Sequence, residues 1–449
     1  MKQDTIVWPT MEELEGMLFH LLQEQFAAGM KRILEAIDRK IMEQRDKARF
    51  RLKDAYEIDM DTLFGTVTFK RRIYWDRQKK KHIYLLDQML QYDGQKKISP
   101  CLEEIAVSFA SQGPSYRDSA DRLEKLLGYR PLSHEAIRGR LIVEAESLSP
   151  KPIKRKAPPV LFIEADGLYT KLQQSKAKGL EHQMAIVHEG WEKEGRRIRL
   201  KEKKHYLHER GDFWEGLGRF LTQHYELDGD TWLVVNGDGA AWIKECQSYF
   251  HKCFFQLDRF HVVRELRSYV GHLPETWRRI RKALAEYDVG TLLTELKQVA
   301  DTDIPAEKRA AFGQYVRYLQ RNREHLRDYR EVLRQAGLET AGMRPMGSAE
   351  AQMRVMAKRT KRGGYSWSKR GVRAMLKTII RFKEGWGKNS PQGTEATGEN
   401  DPFGEVTLKS LLQEVKQTSQ GCLRGVIRLL QGPKQSSPTG MALKGLRGY

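Results

Sequence analysis

Phe162-Ile163-Glu164-Ala165-Asp166-Gly167 and Val234-Val235-Asn236-Gly237-Asp238-Gly239 close two apolar runs in nearly the same way. Each run, Val160 to Ala165 and Trp232 to Val235, reads as a short β-strand leading into an acid and then a glycine. An acid at that point lies at the rim of a sheet, where ligands of α/β folds gather. The glycine lets backbone and ligand approach closely. Asp-Gly is also a favoured turn dipeptide, so either stretch taken alone reads as an ordinary turn. Residues two apart on a strand face one side, which puts Glu164 with Asp166 as a supporting group or an alternative ligand. A third acid, Glu350 in Gly347-Ser348-Ala349-Glu350, falls in the first turn of a helical stretch through Met356, with Ser348 as its expected cap.

Working outward, Gln183 to His188, Arg197 to Leu207 and Phe254 to Leu257 read as further strands, and Phe213 to Tyr225 as a helix. From His261 to about Leu338 the chain is nearly all helical in pattern. Upstream, Lys151 to Pro159 (KPIKRKAPP) is a basic, proline-rich linker. Before it, Ser115 caps a helix carrying Ala120, Leu123 and Leu126, which Gly128 ends, and a second helix follows from His134 to about Glu144 with Ile137 and Leu141 inward. The pair reads either as a helix-turn-helix presenting His134, Arg138 and Arg140 to a DNA groove or as an ordinary helical pair. Val67, Phe69, Arg71, Ile73 and Trp75 alternate as in a β-hairpin with a basic tip at Lys79-Lys80-Lys81. Met11 to Lys47 is a long amphipathic helix whose stripe (Leu14, Leu18, Leu22, Phe26, Met30, Ile33, Ile37, Ile41) is either a core face or a pairing surface for a second subunit.

The expected fold class is multidomain α+β. The regions are 1–56, amphipathic and helical; 57–95, the β-hairpin; 96–150, helix-turn-helix-like and DNA-binding; and 151–159, the linker. An α/β core follows in two parts, 160–261 and 345–388, around a helical insertion at 262–344. The tail, 389–449, is patchily rich in Gly, Ser, Gln and Pro and reads as loosely ordered.

Charge narrows the partners. Lys and Arg number 79 against 59 acids, a net +20, so the chain is expected to meet a polyanion. No apolar run approaches the roughly 18 residues of a membrane span, and the start, Met1-Lys2-Gln3-Asp4, lacks a signal-peptide core. Nucleic acid is therefore the expected partner, with no membrane. Four cysteines without a Cys-x-x-Cys pair suggest neither a disulfide framework nor a zinc ribbon, and fit a cytoplasmic, nucleoid-associated setting. After Glu350 comes a basic run, Arg354, Lys358, Arg359, Lys361, Arg362, Lys369, Arg370 and Arg373, with Tyr365 and Trp367 interleaved and no acid before Glu384. Such a run gives salt-sensitive, sequence-independent contacts to phosphates. Trp277 is either a base-stacking or a core residue.

Three carboxylates beside a phosphate-binding run suit phosphodiester chemistry. Two Mg²⁺ (or Mn²⁺) ions about 4 Å apart can activate the attacking oxygen and stabilise the leaving one. Mg²⁺ takes hard oxygen ligands and keeps several waters, so a few carboxylates suffice.

An acid at the end of a first strand, an acid after a later strand and a Glu on a distal helix together resemble the DDE transposases with an RNase H-like core. Asp258-Arg259-Phe260-His261, the helical insertion from about Val262 to Arg344 and the Ser-Ala-Glu around Glu350 make the chain similar to the Mutator-like group. The layout from the first helix to about Trp386 resembles the bacterial insertion-sequence transposases of the ISLre type. The resemblance implies an RNase H-like α/β catalytic core interrupted by an all-helical insertion. It further implies Asp166, Asp238 and Glu350 as catalytic metal ligands, and Glu164, Asp258 and His261 as their surroundings. The implied activity is cleavage at element ends and joining to double-stranded target DNA, by a homo-oligomer. Alternatives from other classes are an idle DNA-binding descendant, a nuclease that never joins, and a glycosidase with paired carboxylates, which net +20 disfavours.

Overall fold

The computed structural model of the chain describes residues 10–146, 154–174, 178–361 and 363–385. Arg362, residues 151–153 of the linker and the tail 389–449 lie outside the described residues. The chain divides into two compact units, Met1–Leu141 with Gly387–Tyr449, and Ile142–Trp386.

In the first unit, helix α1 (Met11–Gln44) opens on a capping box: the Thr10 hydroxyl accepts from the Glu13 N–H, and Glu13 accepts from the Thr10 N–H. Its expected stripe divides in two. Leu34 and Ile41 are buried with Met60, Val67, Phe69 and Leu86, and Met30 and Ile37 pack against them. The first half leaves Met11, Leu18, Leu22 and Phe26 exposed. Strand β1 (Phe50–Thr62) pairs antiparallel with β2 (Gly65–Asp76), and β2 with β3 (Lys81–Ile83). β1 thus begins before the boundary expected at 57. From Arg51 to Glu57 its side chains are exposed, so that stretch carries no apolar alternation to betray it. The basic tip lies in the turn before β3, and Leu85–Met89 is helical.

Helices α2 (Pro100–Gln112), α3 (Tyr116–Leu127) and α4 (His134–Glu146) follow. Ser115 accepts from the Asp118 N–H, and Gly128 takes the left-handed conformation at φ 76°, as the sequence leads one to expect. Leu126 does not face inward: it is exposed, and the buried residues of α3 include Ala120, Leu123 and Leu127. Ile137 and Leu141 are fully buried.

The second unit is built on a five-stranded sheet. β4 (Val160–Lys171), β5 (Gly179–His188) and β6 (Lys204–Leu207) pair antiparallel in turn, and β7 (Trp232–Gly237) and β8 (Cys253–Leu257) run parallel to β4. The spatial order is β6-β5-β4-β7-β8. β4 is central and covered on both faces, hence its unbroken apolar run rather than an alternation. Arg197–Leu207 is not one strand: Arg197–Leu200 forms a separate hairpin with Trp191–Glu194, and only β6 joins the main sheet. The last linker residues are folded in, since Arg155–Lys156 pair with Tyr225–Glu226 and Ala157 is buried. Helix α5 (Phe213–His224) packs Trp214, Leu217 and Leu221 on one face of the sheet.

The insertion consists of α6 (Arg259–Val270), α7 (Pro274–Glu286), α8 (Val289–Gln298), α9 (Ala306–Arg321) and α10 (Tyr329–Gln335). The first four share the core of β7 and β8 through Leu266, Ile280, Leu292, Phe312 and Leu319, with Trp277 packed against that core. Helices α11 (Ala349–Thr360) and α12 (Lys369–Lys383) complete the unit. Among the described residues, no helix is long and apolar enough to cross a membrane.

Candidate functional site

Strand register sets the site. β4 does not stop at Asp166 but runs to Lys171; what stops is its pairing with β7, at Glu164 opposite Asn236. Asp166 lies two residues further along β4, and Asp238 follows directly on the end of β7. β8 pairs Leu257 with Gly237, so Asp258 follows at the same level. Its N–H donates to the Gly237 carbonyl at 2.8 Å.

The acids differ in surroundings. Asp238 is exposed and accepts from the Ala240 N–H at 2.9 Å. Asp166 is half-buried and accepts from the Gly167 N–H at 2.8 Å. Burial pushes the Asp166 carboxyl up to about 6; the Gly167 N–H and His261 pull it down, while Asp238 and Glu350 add to the rise. Asp166 therefore lies within electrostatic range of both other acids. Glu350, in the first turn of α11, has the Arg354 guanidinium 4.0 Å away.

Glu164 explains how Glu350 comes to this rim. It is fully buried, and its two oxygens accept from the Ala349 N–H at 2.7 Å, the Gly347 N–H at 3.2 Å and the Ser348 hydroxyl at 2.5 Å. A carboxylate there satisfies orphan donors at the N-terminus of α11 and meets the positive end of the helix dipole. Ser348 is the cap the sequence leads one to expect. It makes no capping bond of its own, its backbone being already helical, and Glu164 caps in its place. Both Glu164 oxygens are thus engaged by the start of α11, and His188 Nε2 lies 3.6 Å away. Beyond Thr360 the chain returns to β4: the Trp367 N–H donates to the Lys171 carbonyl at 3.0 Å, and the Gln173 N–H to the Trp367 carbonyl at 2.8 Å.

Asp258 is buried, caps α6 by accepting from the Phe260 N–H at 3.0 Å, and bonds His261 Nδ1 at 2.8 Å. That bond, with Asp166 adding to it, raises the His261 pKa against the effect of burial, favouring an imidazolium beside the acids. A Cβ on Gly347 would lie 3.8 Å from Asp258, so the loop entering α11 passes this residue too.

The donor set is all oxygen, which fits a hard divalent cation. Among the described residues no group of three or more His, Cys, Asp or Glu stands close enough to chelate one ion together. Mg²⁺ takes only one or two carboxylates, with water and phosphate completing the shell.

The expected DNA contacts divide. Arg354, Lys358, Lys361 and Lys369 are exposed. Arg359 is a correction: it is buried against Trp367, 5.2 Å from the ring centroid, and cannot reach a phosphate from there. Trp367 is itself buried, and its Nε1–H donates to the Thr360 carbonyl. Arg370 is exposed but forks onto Glu146 with two bonds of 2.7 Å. In the first unit His134 is partly exposed and Arg138 pairs with Glu135. Arg140 is a second correction, since its guanidinium is engaged by Glu103 and the Lys96 carbonyl. Sequence reading missed Lys244 and Tyr318, both within electrostatic range of Asp238.

Known proteins place the chain. A Streptococcus gallolyticus protein, "UPF0236 protein in vanSb 3'region", is 27% identical over 393 residues, covering 84% of this chain and 83% of that protein. A Caldanaerobacter subterraneus subsp. tengcongensis relative is 26% identical over 393 residues, covering 84% of this chain and 80% of its own; its name joins a long run of locus labels under one UPF0236 description. A second protein of that strain, again with several labels, is 25% identical over 392 residues, with 84% and 80% covered. The model of one family matches residues 5–395, and the chain belongs to it: the Uncharacterised protein family (UPF0236).

Proposed function

We propose that this protein is a DDE transposase of an insertion sequence, Mutator-like and of the ISLre type, which cuts DNA at element ends and joins them to target DNA. The observation that carries the reading is that the Asp238 turn follows β7 beside β4, while the Glu164 cap fixes the first turn of α11 with Glu350 to β4, so that both acids add to the rise of the Asp166 pKa. An RNase H-like core suits the sheet, with three antiparallel strands and two more parallel to the first in the order β6-β5-β4-β7-β8. Relatives whose names join many locus labels fit a gene carried in several copies, as a mobile element is. Net +20 suits a DNA partner. The exposed half of the α1 stripe suits a homo-oligomer on DNA, and a cytoplasmic, nucleoid-associated setting follows from the same reading.

In this mechanism Asp166, Asp238 and Glu350 would hold the two Mg²⁺ or Mn²⁺ ions. Bound there, the ions would supply an activated oxygen nucleophile and stabilise the leaving oxygen. Glu164 keeps Glu350 at its distance from Asp166 through the α11 N-terminus. His261, oriented by Asp258, offsets the negative charge beside Asp166. Arg354, Lys358, Lys361 and Lys369 deliver the phosphate backbone.

Strand cleavage and joining on element-end DNA with Mg²⁺ or Mn²⁺ tests the proposal. Wild type is expected to do both, and Asp238→Asn to lose roughly a hundredfold or more in rate, as removal of a group stabilising transition-state charge does. Full activity in Asp238→Asn would sink the assignment, and cleavage without joining would reduce the protein to a nuclease.

A further inference from the structure

Gly239, next to Asp238, adopts φ +90°, and a Cβ there would collide with the Tyr318 hydroxyl and meet Leu257 Cδ2 at 2.8 Å. The helical insertion therefore closes over the turn that carries the second acid. Tyr318 comes from the last turn of α9, and Lys244 from the short helix Ala241–Lys244 that follows the Asp238 turn. The Lys244 ammonium lies 4.8 Å over the Tyr318 ring and donates to Asn322 Oδ1 at 2.9 Å. The Asn322 side-chain N–H donates in turn to the Tyr318 carbonyl at 2.7 Å, which fixes the amide with its oxygen toward the lysine.

A lysine side chain held by a ring and an amide has given up much of its rotamer freedom before any ligand arrives. Arg321, on the same turn of α9 and exposed, adds a second positive charge; burial first and then Arg321 lower the Lys244 pKa, while Asp238 raises it. Among the described residues no carboxylate forms an ion pair with Lys244 or Arg321. Two cations, neither of them in an ion pair with a described carboxylate, and a hydroxyl at the Asp238 turn make a place for an anion bound one step away from Asp238.

We propose that Lys244, Arg321 and the Tyr318 hydroxyl form a phosphodiester-binding subsite beside Asp238, so that the helical insertion supplies one wall of the DNA-strand cleft. The ammonium and guanidinium take one non-bridging oxygen each, and the phenol donates to either. The subsite rests on the proposed function for its ligand class, but its binding is separable from the chemistry.

The test is fluorescence anisotropy with a labelled mixed-sequence duplex of about 30 base pairs in EDTA, repeated over a series of NaCl concentrations. Deleting one cation that neutralises a phosphate flattens the log–log salt slope by about 0.9. Lys244→Gln is expected to weaken binding about five- to tenfold and flatten the slope by about one unit. Arg321→Gln, at an exposed helix position where folding is not at stake, should act alike and more mildly. Lys244→Arg should retain affinity. Tyr318→Phe should cost about two- to threefold with the slope unchanged, since no charge is removed. Wild-type affinity and slope in both Lys244→Gln and Arg321→Gln would overturn the subsite. A wild type that binds and shows these slope changes, yet never cuts element ends, would keep the subsite and remove the transposase reading.

Discussion

Two carboxylates two residues apart on β4 meet opposite fates. Glu164 is buried completely, and both its oxygens are used by the N-terminus of α11. Asp166 is less buried, has one N–H from its own neighbour, and faces two other acids. Burial alone therefore does not decide what a carboxylate costs; the supply of donors does. The strand carries a structural acid where donors converge and an uncompensated one where the sheet opens.

The comparison breaks first at Glu164. Glu164→Ala strands two N–H groups and a hydroxyl inside the protein and is expected to cost about 3 kcal/mol in urea unfolding. Amide exchange of residues 347–350 should quicken with it. Glu164→Gln should recover most of that loss, and equal damage from Ala and Gln would mean that the charge matters more than the hydrogen bonds. At Asp166 the sign reverses. A folded-state pKa raised from 3.8 to about 6 means that ionisation opposes folding, by about 3 kcal/mol at pH 7. That cost is fully present above about pH 6 and gone below about pH 4. Asp166→Asn should therefore stabilise the protein, in EDTA, by about 2 kcal/mol at pH 7. The gain should fade as pH falls from about 6 to about 4, as thermal melts across that range would register. A variant destabilised at every pH would show that Asp166 is satisfied after all. The smallest effect is expected of Ser348→Ala, which removes one of three donors to Glu164 and should cost about 1 kcal/mol in the same urea measurement.

The sequence already carried what local chemistry controls. Ser115 and Gly128 bracket a helix by cap preference alone, and the end of β7 puts Asp238 just past the strand by its own patterning, whereas Asp166 lies inside β4, which runs on to Lys171. Pairings across long separations were not legible. Glu164 and its three donors at the start of α11 are 183 to 185 residues apart, so only its spacing from Asp166 hinted at a role. From Arg51 to Glu57 β1 has no buried face and is defined by its partner strand. Arg140 and Arg359 look like their exposed neighbours in the sequence, because a cation taken up by an acid or an aromatic ring leaves no local mark. Lys244 and Tyr318 lie on separate helices, and the one trace of their proximity is the glycine after Asp238.

The segment that brings Glu350 to the rim is fastened to β4 twice, by Glu164 at its start and by Trp367 to Lys171 and Gln173 at its end. A helix clamped at both ends to one strand moves as part of that strand. Asp166 and Glu350 then behave as a single jaw of fixed gape, and any freedom of the rim to widen falls to the opposing jaw, the Asp238 turn with the helices above it.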